Sequence, residues 1–116
     1  MTIRRINPGA RMSQAAVHGG LVFLAGQVAD DASADVAGQT RQILAKIDAV
    51  LAEAGSDKSR ILSTTIWLSD IGTFSEMNSV WDAWVDKQNP PARATVEARL
   101  AAPAFRVEIA AIAAAG

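Results

Sequence analysis

Charge is sparse in the last quarter of this sequence, so the few ionisable side chains there are informative. Read as a strand, Ala92–Leu100 puts Ala92, Ala94, Val96, Ala98 and Leu100 on one face and Arg93, Thr95, Glu97 and Arg99 on the other. Glu108 stands inside Val107-Glu108-Ile109-Ala110-Ala111-Ile112, where a lone carboxylate is expensive unless paired or hydrogen-bonded. An arginine suits a carboxylate ligand, because its planar fork gives two parallel charge-assisted hydrogen bonds. A glutamate can orient or activate water. Two readings stand side by side: charges on a solvated sheet face, or the lining of a polar pocket at a subunit boundary. A turn between Ala102 and Pro103 would form a C-terminal hairpin pairing Leu100 with Phe105 and Glu97 with Glu108. Arg93 then lies about 13 Å further along at strand rise, so joint action would need a ligand or a neighbouring chain between them.

The rest of the chain must position these groups, and composition limits how. At 116 residues it is expected to form a single domain spanning residues 1–116, with half its residues hydrophobic and a core built from small side chains. A net charge of −1 with dispersed cations lacks the footprint of a nucleic-acid binder. The absence of cysteine excludes disulfides, thiolate zinc and a cysteine nucleophile. With a single histidine, His18, a metal site is not expected. The basic start Met1–Arg5 is not followed by a signal-peptide apolar run, and residues 15–26 are too short and broken to span a bilayer. A cytoplasmic location without membrane contact is expected.

Ser13–Gly26 reads as two extended segments around a His18-Gly19-Gly20 turn. A helix is expected over about Asp35–Ala54, with Thr40, Ile43, Leu44, Ile47, Leu51 and Ala54 on one stripe and Gly55 as the stop. Ile61–Ser69 reads as a strand. Thr73 and Glu76 have capping-box spacing before a second helix carrying Phe74, Met77, Trp81, Trp84 and Val85, ended by Asn89-Pro90-Pro91. Two helices cover one face of a sheet of about six strands, yet residues 21–25 and 107–115 are apolar on both faces. Self-association is therefore expected to bury the second face.

Pro91-Ala92-Arg93-Ala94-Thr95-Val96-Glu97 followed by Arg106-Val107-Glu108-Ile109 resembles the C-terminal signature of the RidA (YjgF) family. Ser13-Gln14-Ala15 and Ala25-Gly26-Gln27 resemble its N-terminal motifs, and Met77-Asn78 with Trp81 and Trp84 its second helix, nearest the YoaB-like branch. The resemblance covers essentially the whole chain. It implies a chorismate-mutase-like α+β fold, six strands with two helices on one face, assembled as a homotrimer with sites at the subunit interfaces. It also implies cofactor-free hydrolysis of reactive 2-imino acids, formed from enamines such as 2-aminoacrylate, to 2-keto acids and ammonia.

By the same resemblance Arg93 binds the substrate carboxylate and Glu108 positions the attacking water. Gly26 and Thr95 line the pocket through their backbones, and Asn78 faces it from the second helix. Met12 stands where the family has a pocket tyrosine, Thr95 where it has a cysteine and Ala25 where it has a serine. These departures imply a more apolar substrate end, and they leave open a rival reading: a module that binds small carboxylic acids without turnover. Ribonuclease activity is disfavoured by the acidic balance and the lack of a histidine pair. His18 reads as an ordinary turn residue, Phe74, Met77, Trp81 and Trp84 as the core stripe of their helix, and Asp30-Asp31 as a solvated loop.

Overall fold

The structure, a computed structural model, describes residues 2–115. In chain order it runs β1 (Arg4–Ile6), β2 (Ala15–His18), β3 (Leu21–Gln27), α1 (Val36–Glu53), β4 (Ile61–Leu68), α2 (Phe74–Trp84), β5 (Ala92–Glu97) and β6 (Val107–Ala114). Short 3-10 turns at Lys58–Arg60 and Ile71–Thr73 lead into β4 and α2. The strands form one sheet in the order β1-β2-β3-β6-β4-β5, antiparallel except for the parallel β4–β5 pair.

β2 and β3 form a hairpin whose two turn residues, Gly19 and Gly20, have φ of 60° and 79°. Positive φ at both positions matches the strand twist and excludes side chains that dislike the left-handed region. The sequence-predicted helix is present as α1. The Asp35 side chain caps it by accepting from the Gly38 N–H at 2.8 Å. At its far end Ser56 N–H reaches the Leu51 carbonyl and Gly55 N–H the Ala52 carbonyl, a Schellman closure. Its inner stripe, Val36, Thr40, Ile43, Leu44, Ile47 and Leu51, packs on the sheet residues Val22, Leu24, Ile66, Leu68, Ile109 and Val107 in one core.

Two expectations fail here. The C-terminal hairpin does not form: β5 pairs in parallel with β4, and β6 lies between β3 and β4. Apolar residues on both faces of β6 favour a central position, whereas the polar alternation of Arg93-Ala94-Thr95 suits an edge. The helix α2 supplies the crossover that a parallel pair needs. Glu97 is accordingly not opposite Glu108; Trp67 of β4 stands between the strands, opposite Val96 on one side and Glu108 on the other. β5 also ends at Glu97, short of Leu100.

The capping box at Thr73 fails too. The 3-10 turn before α2 gives Thr73 φ −90° and ψ 9°, not the extended backbone an N-cap requires, and its hydroxyl donates instead to the Asp70 carbonyl at 2.6 Å. Glu76 reaches across to accept from the Ala37 N–H at the start of α1.

Candidate functional site

Register decides which face each candidate occupies. Arg93 is opposite Thr64 and Thr95 opposite Ile66, and these β4 residues face Ala111 and Ile109 on β6. That set lies under the helices: Thr64, Ile66, Ile109 and Ala111 are all buried. Glu108, opposite Trp67, belongs to the other face, with Thr65, Ala110 and Ile112. One chain therefore holds Arg93 and Glu108 on opposite faces of the sheet with β4 between them. The reading of both as charges on one solvated face is overturned.

The Arg93 half is built by α2. Asn78 is half-buried, and its Oδ1 accepts from Arg93 Nη1 at 2.7 Å. The guanidinium carbon lies 5.7 Å from the Phe74 ring centroid and 5.2 Å from that of Trp81. Among the described residues Arg93 has no carboxylate partner, and the ion pair found is Lys46–Asp30 at 3.0 Å. The Thr95 and Thr64 hydroxyls, both buried on this face, have no hydrogen-bond partner among the described residues. β5 is an edge strand, so one side of its backbone is unpaired within the chain.

The Glu108 half is built by the bulge in β3. Pairing with β6 shifts register between Leu24 and Gln27, and the irregularity turns Gly26 toward Glu108. A Cβ on Gly26 would collide with the Glu108 carboxylate, lying 2.9 Å from its carbon. Glycine is required here for close approach: the carboxyl group occupies the place of the missing side chain. Behind the bulge Gln27 is buried and donates to Gln14 Oε1 at 3.0 Å and to the Ala25 carbonyl at 3.1 Å. Met12 is exposed in the loop before β2, which Gln14 ties to Ala25 through a 2.9 Å backbone bond. Met12 thus belongs with the Gly26 side of the molecule and not with Arg93.

Sequence reasoning read Phe74 and Trp81 as core alone and missed their contact with Arg93. Their signal was present: Phe74, Asn78 and Trp81 follow a four-then-three spacing, one helix stripe with a polar residue at its centre. The remaining groups behave as surface structure. Asp31 and Asp57 are held below the usual carboxylate range by hydrogen bonds from Ser33 and Ser59, the side-chain hydroxyl first and then the backbone N–H. His18 is exposed beside its turn, with Nδ1 3.2 Å from the Thr2 carbonyl. No group of three metal-ligating side chains occurs among the described residues, and no helix there is long and apolar enough to cross a membrane.

On the open face Phe23 and Val96 are each 45 % exposed, beside the half-buried Trp67 and Ile112. That face continues from the Glu108 half-site to the edge strand.

Residues 2–115 match the family described as Endoribonuclease L-PSP. A RutC family protein of Haemophilus influenzae is 46 % identical over 114 residues, covering 97 % of this chain and 98 % of the relative. The RutC family protein YoaB of Escherichia coli is also 46 % identical over 114 residues, covering 98 % and 99 %. Among solved structures, a YjgF family member from Neisseria meningitidis superposes with a TM-score of 0.97 at 48 % identity, covering 100 % of this chain and 97 % of that one.

Proposed function

The chain belongs to the YjgF/RutC/RidA family, and from that premise we propose that it hydrolyses reactive 2-imino acids to 2-keto acids and ammonia, at sites completed between copies of the chain. The observation that carries this reading is Arg93: its charge is held by a neutral amide and two rings and has no carboxylate partner among the described residues. A guanidinium so held is matched to the carboxylate of a small acid.

In this reading the reaction needs little beyond placement. The C2 carbon of a protonated imine is already electrophilic, so holding the carboxylate and aiming a water supply most of the required catalysis. Water oxygen bonds to C2 while the Glu108 carboxylate accepts the departing proton. The same proton is then delivered to the nitrogen of the tetrahedral carbinolamine. Collapse to the C2 carbonyl breaks the C–N bond, and the hydroxyl proton passes to the Glu108 carboxylate and on to the departing ammonia, which leaves as ammonium.

Arg93 and Glu108 occupy opposite faces of one sheet, so the active unit is read as a homotrimer. The Arg93, Asn78 and Thr95 wall comes from one copy and the Gly26, Glu108 and Met12 wall from the next. The exposed Phe23 and Val96 supply apolar surface for that contact. The family description names endoribonucleases, but a net charge of −1 with dispersed cations does not support RNA as substrate. A binding module without turnover is the second reading, favoured by Thr95, Met12 and Ala25 at positions where the resemblance places cysteine, tyrosine and serine.

Ammonia release from 2-iminopropionate generated in a coupled assay tests the proposal. Wild type should exceed the uncatalysed rate, and Arg93→Ala should lose on the order of 10³-fold in kcat/KM, as expected when one partner of a desolvated charge pair is removed. Binding of 2-ketobutyrate with no rate above background would establish the binding module instead.

A further inference from the structure

An arginine is a long, rotamer-rich side chain, and a carboxylate clamp works best when the guanidinium is fixed before the ligand arrives. The stripe Phe74-Asn78-Trp81 on α2 does this. The guanidinium carbon lies 5.7 Å from the Phe74 ring centroid and 5.2 Å from that of Trp81. The guanidinium is thus within cation–π distance of both rings, while Asn78, between them on the stripe, accepts from Nη1.

Core packing explains part of this arrangement. Trp81 is 6 % exposed and packs 5.4 Å from Trp84 at an interplanar angle of 53°. Trp84 is anchored in turn, its indole N–H donating to Asp48 on α1 at 2.9 Å. Core packing does not explain Phe74, which is 37 % exposed and has the Arg93 cation beside its ring.

We propose that Phe74 and Trp81 are positioning residues for Arg93: a two-ring clamp that fixes the guanidinium and leaves the donors unused by Asn78 for a ligand carboxylate. The clamp rests on the reading of Arg93 as the carboxylate site. Trp81 orients the guanidinium from the core, through Trp84 and α1. Phe74 shields it from water on the outer side, where a lower local dielectric strengthens its attraction for an anion.

The test measures 2-ketobutyrate affinity by calorimetry, KM and kcat for 2-iminopropionate, and rotation of the Arg93 guanidinium by ¹⁵N NMR. Phe74→Leu should weaken binding and raise KM about five- to tenfold, between the ranges of exposed and desolvated cation–π contacts, with kcat within about twofold. Trp81→Phe should keep most of the affinity that Trp81→Leu loses. Should Trp81→Leu fail to fold, the wild-type NMR signal and Phe74→Leu decide the matter. Restricted guanidinium rotation that Phe74→Leu releases supports the clamp. Free rotation in the wild type, or wild-type affinity in a folded Phe74→Leu protein, overturns it. If Arg93→Ala loses affinity while Phe74→Leu does not, the clamp alone falls; if Arg93→Ala binds as wild type, both readings fall.

Discussion

On the helix-covered face of the sheet, Ile66, Leu68, Val107 and Ile109 are fully closed off, and Arg93 is held by an amide and two rings. On the opposite face, Phe23 and Val96 stand half in water, and Glu108 is a carboxylate with no hydrogen-bond partner among the described residues. The first face is covered within one chain by α1 and α2, and Arg93 is held there by contacts already made. The second presents a carboxylate and an apolar surface together, a combination that the proposed contact with a second copy would cover.

Substitutions should separate the two faces. After the Arg93→Ala effect, the next largest is expected at Glu108. Glu108→Gln should keep shape and lose proton acceptance, lowering kcat about 10²-fold with KM little changed. An unchanged kcat in the ammonia-release assay would remove Glu108 from the mechanism. Gly26→Ala comes next, because the added methyl must push the Glu108 carboxylate aside. The obstructing atoms are the far end of a flexible side chain, so the fold should survive while kcat falls about tenfold, as misplacement of a catalytic group does. Circular dichroism and steady-state kinetics on the same sample check both halves of that statement.

The closed face should answer in stability instead. Thr64 is 2 % exposed and its hydroxyl has no hydrogen-bond partner among the described residues. Thr64→Val removes an unsatisfied buried donor at constant shape and should stabilise the chain by about 1 kcal/mol. That corresponds to a rise of a few degrees in Tm for a domain of this size. A drop in Tm by calorimetry would mean that the hydroxyl is satisfied in solution.

Much of this was legible in the sequence, for physical reasons that differ by element. The period of α1, its Asp35–Ala54 limits and the Gly19-Gly20 hairpin follow from local rules, and they hold. Long-range pairing is not a local property. Nothing within residues 92–114 says that β4 will pair with both β5 and β6, so the short loop between them reads as a hairpin. The double-sided apolarity of β6 was the available clue to its central place. At Thr73 the capping-box spacing was correct but the backbone was not, because Asp70, three residues earlier, opens a 3-10 turn that includes Thr73. The pairs Arg93–Asn78 and Gly26–Glu108 join residues far apart in the chain. Sparse charge singled out Arg93 and Glu108, resemblance to a family added Asn78 and Gly26, and only the register placed Arg93 and Glu108 on opposite faces.

Mixing subunits tests that division most directly. Arg93→Ala and Glu108→Gln proteins, each inactive alone, should be denatured together in equal amounts and refolded. If each site takes its arginine from one copy and its glutamate from the next, random assortment in a cyclic trimer regenerates about a quarter of the sites. Ammonia release should then recover to about a quarter of the wild-type rate per chain. A mixture as inactive as its two components would contradict the account, since it would place Arg93 and Glu108 in a site formed by a single chain.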